Sequence, residues 1–233
     1  MIDLYTWPTP NGRKISIALE EFAAAYEVHP VNLQNNEQFA ERFLAISPNN
    51  KIPAIVDHDN GQSLMESGAI LLYLADKFDR FWGADRWQTM QWLMLQMASI
   101  GPMLGQVHYF CKYNAGKAPY AEERFRNEAL RLYGVLEARL ATEEFLSGSY
   151  SIADIAVYPW VNRYEWHKTD IDRFPEVKRW YQTIGERPGV VRAYEEAKTI
   201  STSNVTSDES RKELFGQTDV TIQQAYAAPK GSE

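Results

Sequence analysis

Length, composition and charge limit what this 233-residue chain can be. An apolar fraction of 45% allows a buried core in one large domain or two small ones, and a net charge of -7 argues against nucleic acid or an anionic membrane as partner. No basic-then-apolar segment marks a signal peptide, and the longest apolar run, residues 69–75, is too short to span a bilayer. The single cysteine, Cys111, cannot form an internal disulfide, so we expect a cytoplasmic protein.

The first third of the chain alternates strand-like and helix-like segments. Residues 2–5 alternate apolar and polar side chains and predict a short strand, and residues 26–33 predict another. Between them, apolar side chains recur at helical spacing at Ile15, Ala18, Leu19 and Phe22. A strand, a helix and a strand in so short a span predict a βαβ unit whose two strands are parallel.

The following segments complete a small mixed sheet. A short helix is predicted over residues 39–44. Strands are predicted over residues 54–57 and 63–65, because Asn60-Gly61 between two apolar runs is a strong signal for an antiparallel hairpin. Residues 68–78 predict a helix that is apolar on most faces, as suits burial against a sheet. The expected order β-α-β-α-β-β-α describes a compact α+β domain.

Beyond residue 79 the periodicity is helical and no strand pattern appears. Residues 86–107 predict a helix that is interrupted at Gly101-Pro102, and an amphipathic helix follows through residues 125–140. Three further helices are predicted over residues 152–166, 176–187 and 189–198.

These patterns divide the chain into four parts. We predict an α+β first domain over residues 1–78, a linker over 79–86, an all-helical second domain over 87–200 and a polar tail over 201–233. The tail is polar and irregular in composition, which indicates a loosely packed extension.

Three segments of the first domain could hold a ligand, and each also has a purely structural interpretation. In Ile52-Pro53 the proline is typical of the start of a strand. Alternatively, a cis bond would expose the Ile52 backbone N–H and C=O to a peptide-like ligand. Glu66-Ser67 caps a helix whose N-terminus attracts a carboxylate, while Glu66 could accept an ammonium group. Thr9-Pro10-Asn11 is typical of a turn, or it supplies a hydroxyl and an amide that donate hydrogen bonds to a thiolate. Taken singly, the first and third segments favour the structural interpretation.

Signatures of several other chemistries are missing from the sequence. It has no Cys-x-x-Cys pair, no Gly-rich phosphate loop and no G-x-S-x-G elbow. Cys111 has no local basic cluster, so we expect a quiet buried thiol rather than a nucleophile. The histidines show no paired metal-ligand spacing, so we expect no metal and rings at the surface or partly buried. The residues concerned are His29, His58, His108 and His167.

Placed in order, these segments resemble the glutathione transferase family. The thioredoxin-like first domain of that family carries a proline after a hydrophobic residue at its third strand, and Glu-Ser before its third helix. These features stand here as Ile52-Pro53 and Glu66-Ser67. The all-helical second domain of the family carries a Ser-x-x-Asp capping box, here Ser151 to Asp154, which by itself predicts only stability. The resemblance covers residues 1–200 and implies a thioredoxin-like α+β domain followed by an all-α domain.

Within the family, residues 8–12 and 47–57 resemble the bacterial nu class, and residues 101–106 and 150–156 point the same way. That class is known for glutathione-dependent disulfide-bond reductase activity. The resemblance places Thr9 and Asn11 at the sulfur, where other classes have a catalytic Tyr, Ser or Cys. The glutathione contacts it implies are Asn11, Gln38, Ile52, Pro53, Glu66, Ser67 and Arg124.

From the resemblance and the missing cysteine pair we expect a reductase that borrows its thiols. It would bind two glutathione molecules, or glutathione disulfide, and act on a small disulfide. The family resemblance also implies a homodimer. Gln106 and Tyr109 are candidates for the second-substrate pocket, with ordinary packing as the equal alternative.

Two alternative functions remain open. One is a transferase that conjugates glutathione to electrophiles, for which Thr9 is only a partial activator. The other is a non-catalytic protein that keeps the fold for contacts with other proteins.

Overall fold

A four-stranded mixed sheet forms the centre of the first domain. The computed structural model describes residues 1–196, 198–200 and 215–227. The strands lie in the order β2-β1-β3-β4, with β1 parallel to β2 and β3 antiparallel to both of its neighbours. The expected βαβ unit and the expected hairpin are therefore both present. The strands are β1 (Ile2–Thr6), β2 (Tyr26–Pro30), β3 (Ala54–Asp57) and β4 (Gln62–Met65).

The second strand is shorter than the sequence predicts. It ends at Pro30, whereas the alternating pattern continues to Leu33. The Asn32 side chain accepts a hydrogen bond from the Gln34 N–H at 3.0 Å and starts a 3₁₀ turn over Leu33–Asn35. A local side-chain bond thus ends the strand where apolar alternation alone would extend it.

Two helices of the first domain cover one face of the sheet. They are α1 (Pro10–Phe22) and α3 (Ser67–Phe78), and they bury Ile2 and Leu4 of β1. The short α2 (Glu41–Leu44) lies on the other face, where Phe43 contacts Tyr5 of β1. Because side chains alternate along a strand, β1 supplies both layers.

The second domain is helical throughout its described residues, apart from isolated bridges in the loop before α7. The elements are α4 (Arg86–Leu95), α5 (Gly101–Val107), α6 (Pro119–Leu140), α7 (Ile152–Val161), α8 (Pro175–Gly185) and α9 (Pro188–Glu196). Helix α7, whose residues are all buried, packs against α4, α5 and α8 of this domain and against α1 and α3 of the first. None of the helices among the described residues is long and apolar enough to cross a bilayer. An α+β thioredoxin-like domain followed by a helical domain is the fold that the sequence predicts.

The expected break at Gly101-Pro102 is absent. Instead, a π-helical turn over Gln96–Ile100 joins α4 to α5, and a second π-helical segment, His108–Tyr113, extends α5. A proline lacks the N–H for an intrahelical bond and crowds the carbonyl of the preceding turn. The wider π-helical turn accommodates both effects, so the hydrogen-bond pattern changes locally and the helix continues past the proline.

Two other expectations about helices need correction. Helix α7 ends at Val161 and not at residue 166, because residues 163–168 are held by turn-type bonds such as Trp166 N–H to Arg163 C=O at 2.8 Å. The prediction of an irregular tail is wrong for residues 219–227, which form the helix α10 (Asp219–Ala227). Residues 201–214 and 228–233, which belong to the same expectation, lie outside the described residues.

One hydrophobic cluster runs through both domains. It contains Ile15 and Leu19 of α1 together with Ile155 of α7 and Val190 of α9. Helix α1 packs directly against α7 and α9. The two domains therefore share a core, and the N-terminal end of α1 lies where they meet.

Candidate functional site

A cavity of about 710 Å³ lies between the two domains. A second cavity of about 280 Å³ shares part of its wall, namely Asn11, Lys51, Trp160 and Phe215. The larger cavity is also lined by Lys14, Glu66, Ser67, Gln96, Met97, Gly101, Pro102, Gly105, Gln106 and Tyr109. Both cavities open around the N-terminal end of α1, which carries a positive partial charge.

The loop before α1 supplies two polar side chains. The Thr9 hydroxyl oxygen caps the helix by accepting from the Gly12 N–H at 3.2 Å, and Thr9 lines the smaller cavity. Asn11 lines both cavities, and its Oδ1 accepts from Trp160 Nε1 at 3.2 Å. A Cβ on Gly12 would lie 2.2 Å from the Trp7 carbonyl oxygen, so only glycine allows this close turn. The family resemblance implies that Thr9 and Asn11 lie at the sulfur.

The smaller cavity contains two further expected contacts of the first domain, Gln38 and Ile52. Ile52 lies in its wall, and the Ile52-Pro53 peptide bond is cis. Gln38 is 1% exposed, and its Oε1 has no hydrogen-bond partner among the described residues. A buried acceptor without a partner costs free energy until a donor reaches it. Gln38 is thus prepared to accept a hydrogen bond from a ligand N–H.

The N-terminus of α3 supplies the expected pair Glu66-Ser67 to the larger cavity. Glu66 adopts a φ of 68°, which is unfavourable for a residue other than glycine. Its Oε1 accepts from Asn49 Nδ2 at 3.4 Å, and Ser67 is the first residue of the helix. A carboxylate, a hydroxyl and a helix N-terminus are therefore side by side, as an amino-acid end group requires.

Lys14 is a site residue that sequence reasoning missed. It is 1% exposed, and its Nζ donates to Gln96 Oε1 at 2.7 Å and to Ser67 Oγ at 3.2 Å. Burial lowers the pKa of Lys14 to about 7, although the Glu66 carboxylate acts in the opposite direction. One sequence signal could have found it. Lys14 lies at helical spacing from Asn11 and Ala18, so a lysine interrupts the buried stripe of α1.

Two residues implied by the resemblance do not line either cavity within the described residues. Pro53 follows Ile52 but is absent from the walls. Arg124 is on α6 with an exposed side chain, 3.9 Å from Glu128. By contrast, Gln106 and Tyr109 lie in the wall of the larger cavity.

Cys111 is the buried, quiet thiol that the sequence predicts. It lies in the π-helical segment after α5, is 5% exposed, and its Sγ donates to the Glu122 carbonyl oxygen at 3.7 Å. Burial raises its pKa, so the nucleophilic thiolate is disfavoured. It does not line the two cavities within the described residues.

The expectation that every histidine is exposed or partly buried is wrong for two of them. His108 and His167 are both buried, with their Nε2 atoms 3.0 Å apart. His167 Nδ1 is 2.9 Å from the Tyr133 hydroxyl. Burial lowers the pKa of His108 to about 4 and that of His167 well below its usual range. The pair is therefore neutral at physiological pH.

A group of potential metal ligands also lies outside the cavities. Asp3, Glu27 and His29, on the two neighbouring strands β1 and β2, bring their ligand atoms within 4.8 Å of one another. Asp3 already pairs with His29 at 3.3 Å and with His58 at 2.9 Å.

Comparison with known proteins supports the sequence resemblance. The family model for the N-terminal domain of glutathione S-transferase matches residues 1–76, and that for the C-terminal domain matches residues 99–188. The chain is 50% identical over 202 residues to the disulfide-bond oxidoreductase YfcG of Escherichia coli, covering 83% of this chain and 94% of that protein. It is 37% identical over 210 residues to a second such oxidoreductase of that organism, YghU, covering 82% and 73% of the two proteins.

Solved structures give the same result. A glutathione transferase from Pseudomonas putida with one glutathione disulfide bound per subunit is 44% identical, with a TM-score of 0.77 over 82% of this chain and 90% of that one. One from Burkholderia graminis with two glutathione molecules per subunit is also 44% identical. Its TM-score is 0.77 over 84% of this chain and 88% of that one.

Proposed function

Because this chain belongs to the glutathione S-transferase family, we propose that it is a glutathione-dependent disulfide-bond reductase whose reacting thiols come from bound glutathione. The observation that best supports this proposal is the pair of adjoining cavities at the N-terminus of α1. Hydrogen-bond donors line them, while Cys111, the sole cysteine of the sequence, is buried elsewhere. The relatives crystallised with glutathione disulfide, or with two glutathione molecules, support a site for two thiols.

One glutathione binds along the first domain. Its γ-glutamyl carboxylate accepts from the Ser67 hydroxyl and the N-terminus of α3, and its ammonium group meets Glu66. Its cysteinyl peptide unit pairs with the backbone N–H and C=O of Ile52, and the Gln38 Oε1 accepts from a peptide N–H. Lys14, which reaches Ser67 from behind, holds the hydroxyl in place and adds positive charge near the carboxylate.

The sulfur of this glutathione lies at Asn11 and Thr9. Because Trp160 occupies the Oδ1 of Asn11, the amide nitrogen is the group that faces the ligand as a donor. The Thr9 hydroxyl has accepted from Gly12 and remains free to donate its own proton. Donors at a helix N-terminus stabilise a thiolate and lower its pKa.

The reaction then takes two exchange steps. The bound thiolate attacks one sulfur of the substrate disulfide, a new S–S bond forms, and the other substrate sulfur leaves as a thiolate that takes a proton from water. The second glutathione thiolate attacks the sulfur of the bound glutathione in the mixed disulfide. This step forms glutathione disulfide and releases the second substrate thiol, so two glutathione molecules are oxidised for each disulfide reduced.

Several finer features belong to the same proposal. The enzyme is cytoplasmic, acts on a small disulfide and resembles the nu class within its family. It forms a homodimer, and Arg124, which is exposed and lines neither cavity of its own subunit, contributes to glutathione binding in that dimer. Gln106 and Tyr109 contact the second substrate.

Two measurements test the proposal. Glutathione-dependent turnover is compared between 2-hydroxyethyl disulfide and chlorodinitrobenzene, and calorimetry counts the glutathione bound per subunit. Turnover of the disulfide with two glutathione molecules per subunit supports the reductase. Conjugation of the chloroarene with one molecule bound makes the protein a conventional transferase, and failure to bind glutathione or its disulfide makes it a non-catalytic member of the family.

A further inference from the structure

The segment 215–227 lies beyond residue 188, where the match to the family's C-terminal domain ends, and it returns to the site. Phe215 lines both cavities. Its ring centroid is 5.1 Å from that of Tyr109 and 5.4 Å from that of Tyr113. An aromatic side chain from beyond the matched domain thus forms part of the wall of both cavities.

Two hydrogen bonds attach the same segment to the first domain. Gln217 Oε1 accepts from Lys51 Nζ at 3.1 Å, and Lys51 itself lines both cavities. The Tyr226 hydroxyl in α10 donates to the Pro48 carbonyl oxygen at 2.6 Å. The segment therefore bridges the loop before β3 and the helical domain, across the mouth of the site.

We propose that residues 215–227 form the outer wall of the second-substrate subsite and restrict it to small disulfides, with Phe215 as a specificity-determining residue. This inference rests on the proposed function, since it concerns which disulfides the second-substrate subsite in the larger cavity admits. The wall beside Asn11 contains Trp160, Tyr109 and Phe215, which suits a compact disulfide with an apolar or planar group. A disulfide on a protein surface carries its own backbone and cannot approach Asn11 while Phe215 stays in place.

The attachment is weak enough to be displaced. Phe215 and Tyr226 are 44% and 52% exposed, and the α10 helix has no buried residue. A segment held by few buried contacts opens at low free energy compared with the core. Small substrates and products can therefore enter and leave by brief opening of the segment, whereas a bulky substrate needs the segment held open.

The test uses the full chain and point variants. Phe215→Ala removes the aromatic wall and Tyr226→Phe removes the bond to Pro48. Val191→Ala, an exposed position in α9, and Tyr120→Phe, an exposed tyrosine on α6, serve as matched controls outside the segment. For each, kcat/KM is measured with 2-hydroxyethyl disulfide and with glutathionylated serum albumin. We expect the ratio of the protein substrate to the small one to rise about fivefold or more in Phe215→Ala, less in Tyr226→Phe, and to stay unchanged in the controls.

A binding readout keeps the inference testable if turnover is absent. Calorimetry gives the dissociation constants of glutathione disulfide and of a mixed disulfide between glutathione and a ten-residue peptide. The wall predicts that Phe215→Ala improves binding of the peptide adduct relative to glutathione disulfide. If the ratio is unchanged in both variants, in turnover and in binding, the proposed wall is wrong. If the binding ratio changes but no disulfide is turned over, the reductase function is wrong and the proposed wall stands.

Discussion

Trp160 Nε1 donates a hydrogen bond of 3.2 Å to Asn11 Oδ1, so a helix of the second domain orients a side chain at the start of the first. The bond occupies the acceptor end of the Asn11 amide. Its donor end is then fixed in direction before any ligand arrives, which is how a site avoids the cost of reorganising during a reaction. The identity of the residue at position 160 therefore matters to the chemistry at position 11.

The first prediction concerns this pair. Asn11→Ala and Thr9→Ala each remove a donor that the proposed function places at the reacting sulfur. We expect a loss of about ten- to hundredfold in kcat/KM, as for a charge-assisted hydrogen bond of about 1.5–3 kcal/mol. Trp160→Phe keeps an aromatic ring and removes only the bond that orients Asn11, so its loss should be smaller, about fivefold. Steady-state kinetics with 2-hydroxyethyl disulfide measure all three, and a Trp160→Phe effect larger than that of Asn11→Ala would contradict the positioning role.

The second prediction concerns Cys111. Cys111→Ala should leave disulfide reduction unchanged, because the thiol is buried away from the cavities and its pKa is raised by burial. The free energy of unfolding should fall by about 1 kcal/mol, since the substitution leaves a small void in the core. Turnover and urea unfolding are measured side by side. Loss of turnover in a folded variant would mean that a protein thiol takes part in the exchange.

The third prediction links glutathione binding to protons through Lys14. Its pKa is about 7 in the free protein, so at pH 8 the amine is mostly neutral. A carboxylate bound at Ser67 favours the charged form and raises that pKa. Binding should therefore take up a proton near pH 8, which is seen as a dependence of the calorimetric enthalpy on the ionisation enthalpy of the buffer. The uptake should disappear in Lys14→Met and persist in Lys51→Met, the control lysine of the same cavity.

The fourth prediction concerns stability against pH. The pKa of Lys14 is about 7 when folded and 10.5 in the unfolded chain, so between these values the unfolded state binds more protons. The contribution of Lys14 to the free energy of unfolding then rises with pH by up to about 1.4 kcal/mol per pH unit. We expect the free energy of unfolding of the parent protein, measured in urea, to rise from pH 7 to pH 9. In Lys14→Met this rise should be smaller by the contribution of Lys14. An equal rise in both would show that the buried amine stays charged.

The fifth prediction concerns the capping box of α7. The Asp154 carboxylate is buried and accepts from the Leu146 N–H, the Ser151 N–H, the Ser151 hydroxyl and Trp180 Nε1, at 2.8–3.0 Å. Asp154→Ala leaves these donors buried and unpaired, and should lower the free energy of unfolding by about 3–5 kcal/mol. Glu144→Ala, an exposed position in the preceding loop, is the control and should change it by less than about 0.5 kcal/mol. Equal midpoints in urea would contradict the structural role.

Local patterns made most of the fold predictable. The Asn60-Gly61 turn and the strand–helix–strand spacing each lie within one short stretch of chain, and both are present. Errors arose where a side chain or a proline modified a repeating pattern. Asn32 ends β2 early, and a π-helical turn carries the chain past Pro102.

The site was predictable only in part. Thr9, Asn11, Glu66 and Ser67 stand in short segments that the family resemblance singles out. Lys14 escaped notice because its partner Gln96 is 82 residues away along the chain and meets it only in the folded protein. The same holds for Trp160 and Phe215, whose aromatic character in the sequence indicates packing and gives no sign of a cavity wall.

The shared core of the two domains has a consequence for how such proteins diversify. Helix α1 carries ligand-facing groups at its first turn and, further along, packs against α7 and α9 of the helical domain. A helical domain taken from a relative would have to fit this interior surface as well as bring its own substrate preference. New substrate preference is therefore more accessible through additions at the rim, such as the role proposed for the segment 215–227, than through exchange of the whole helical domain.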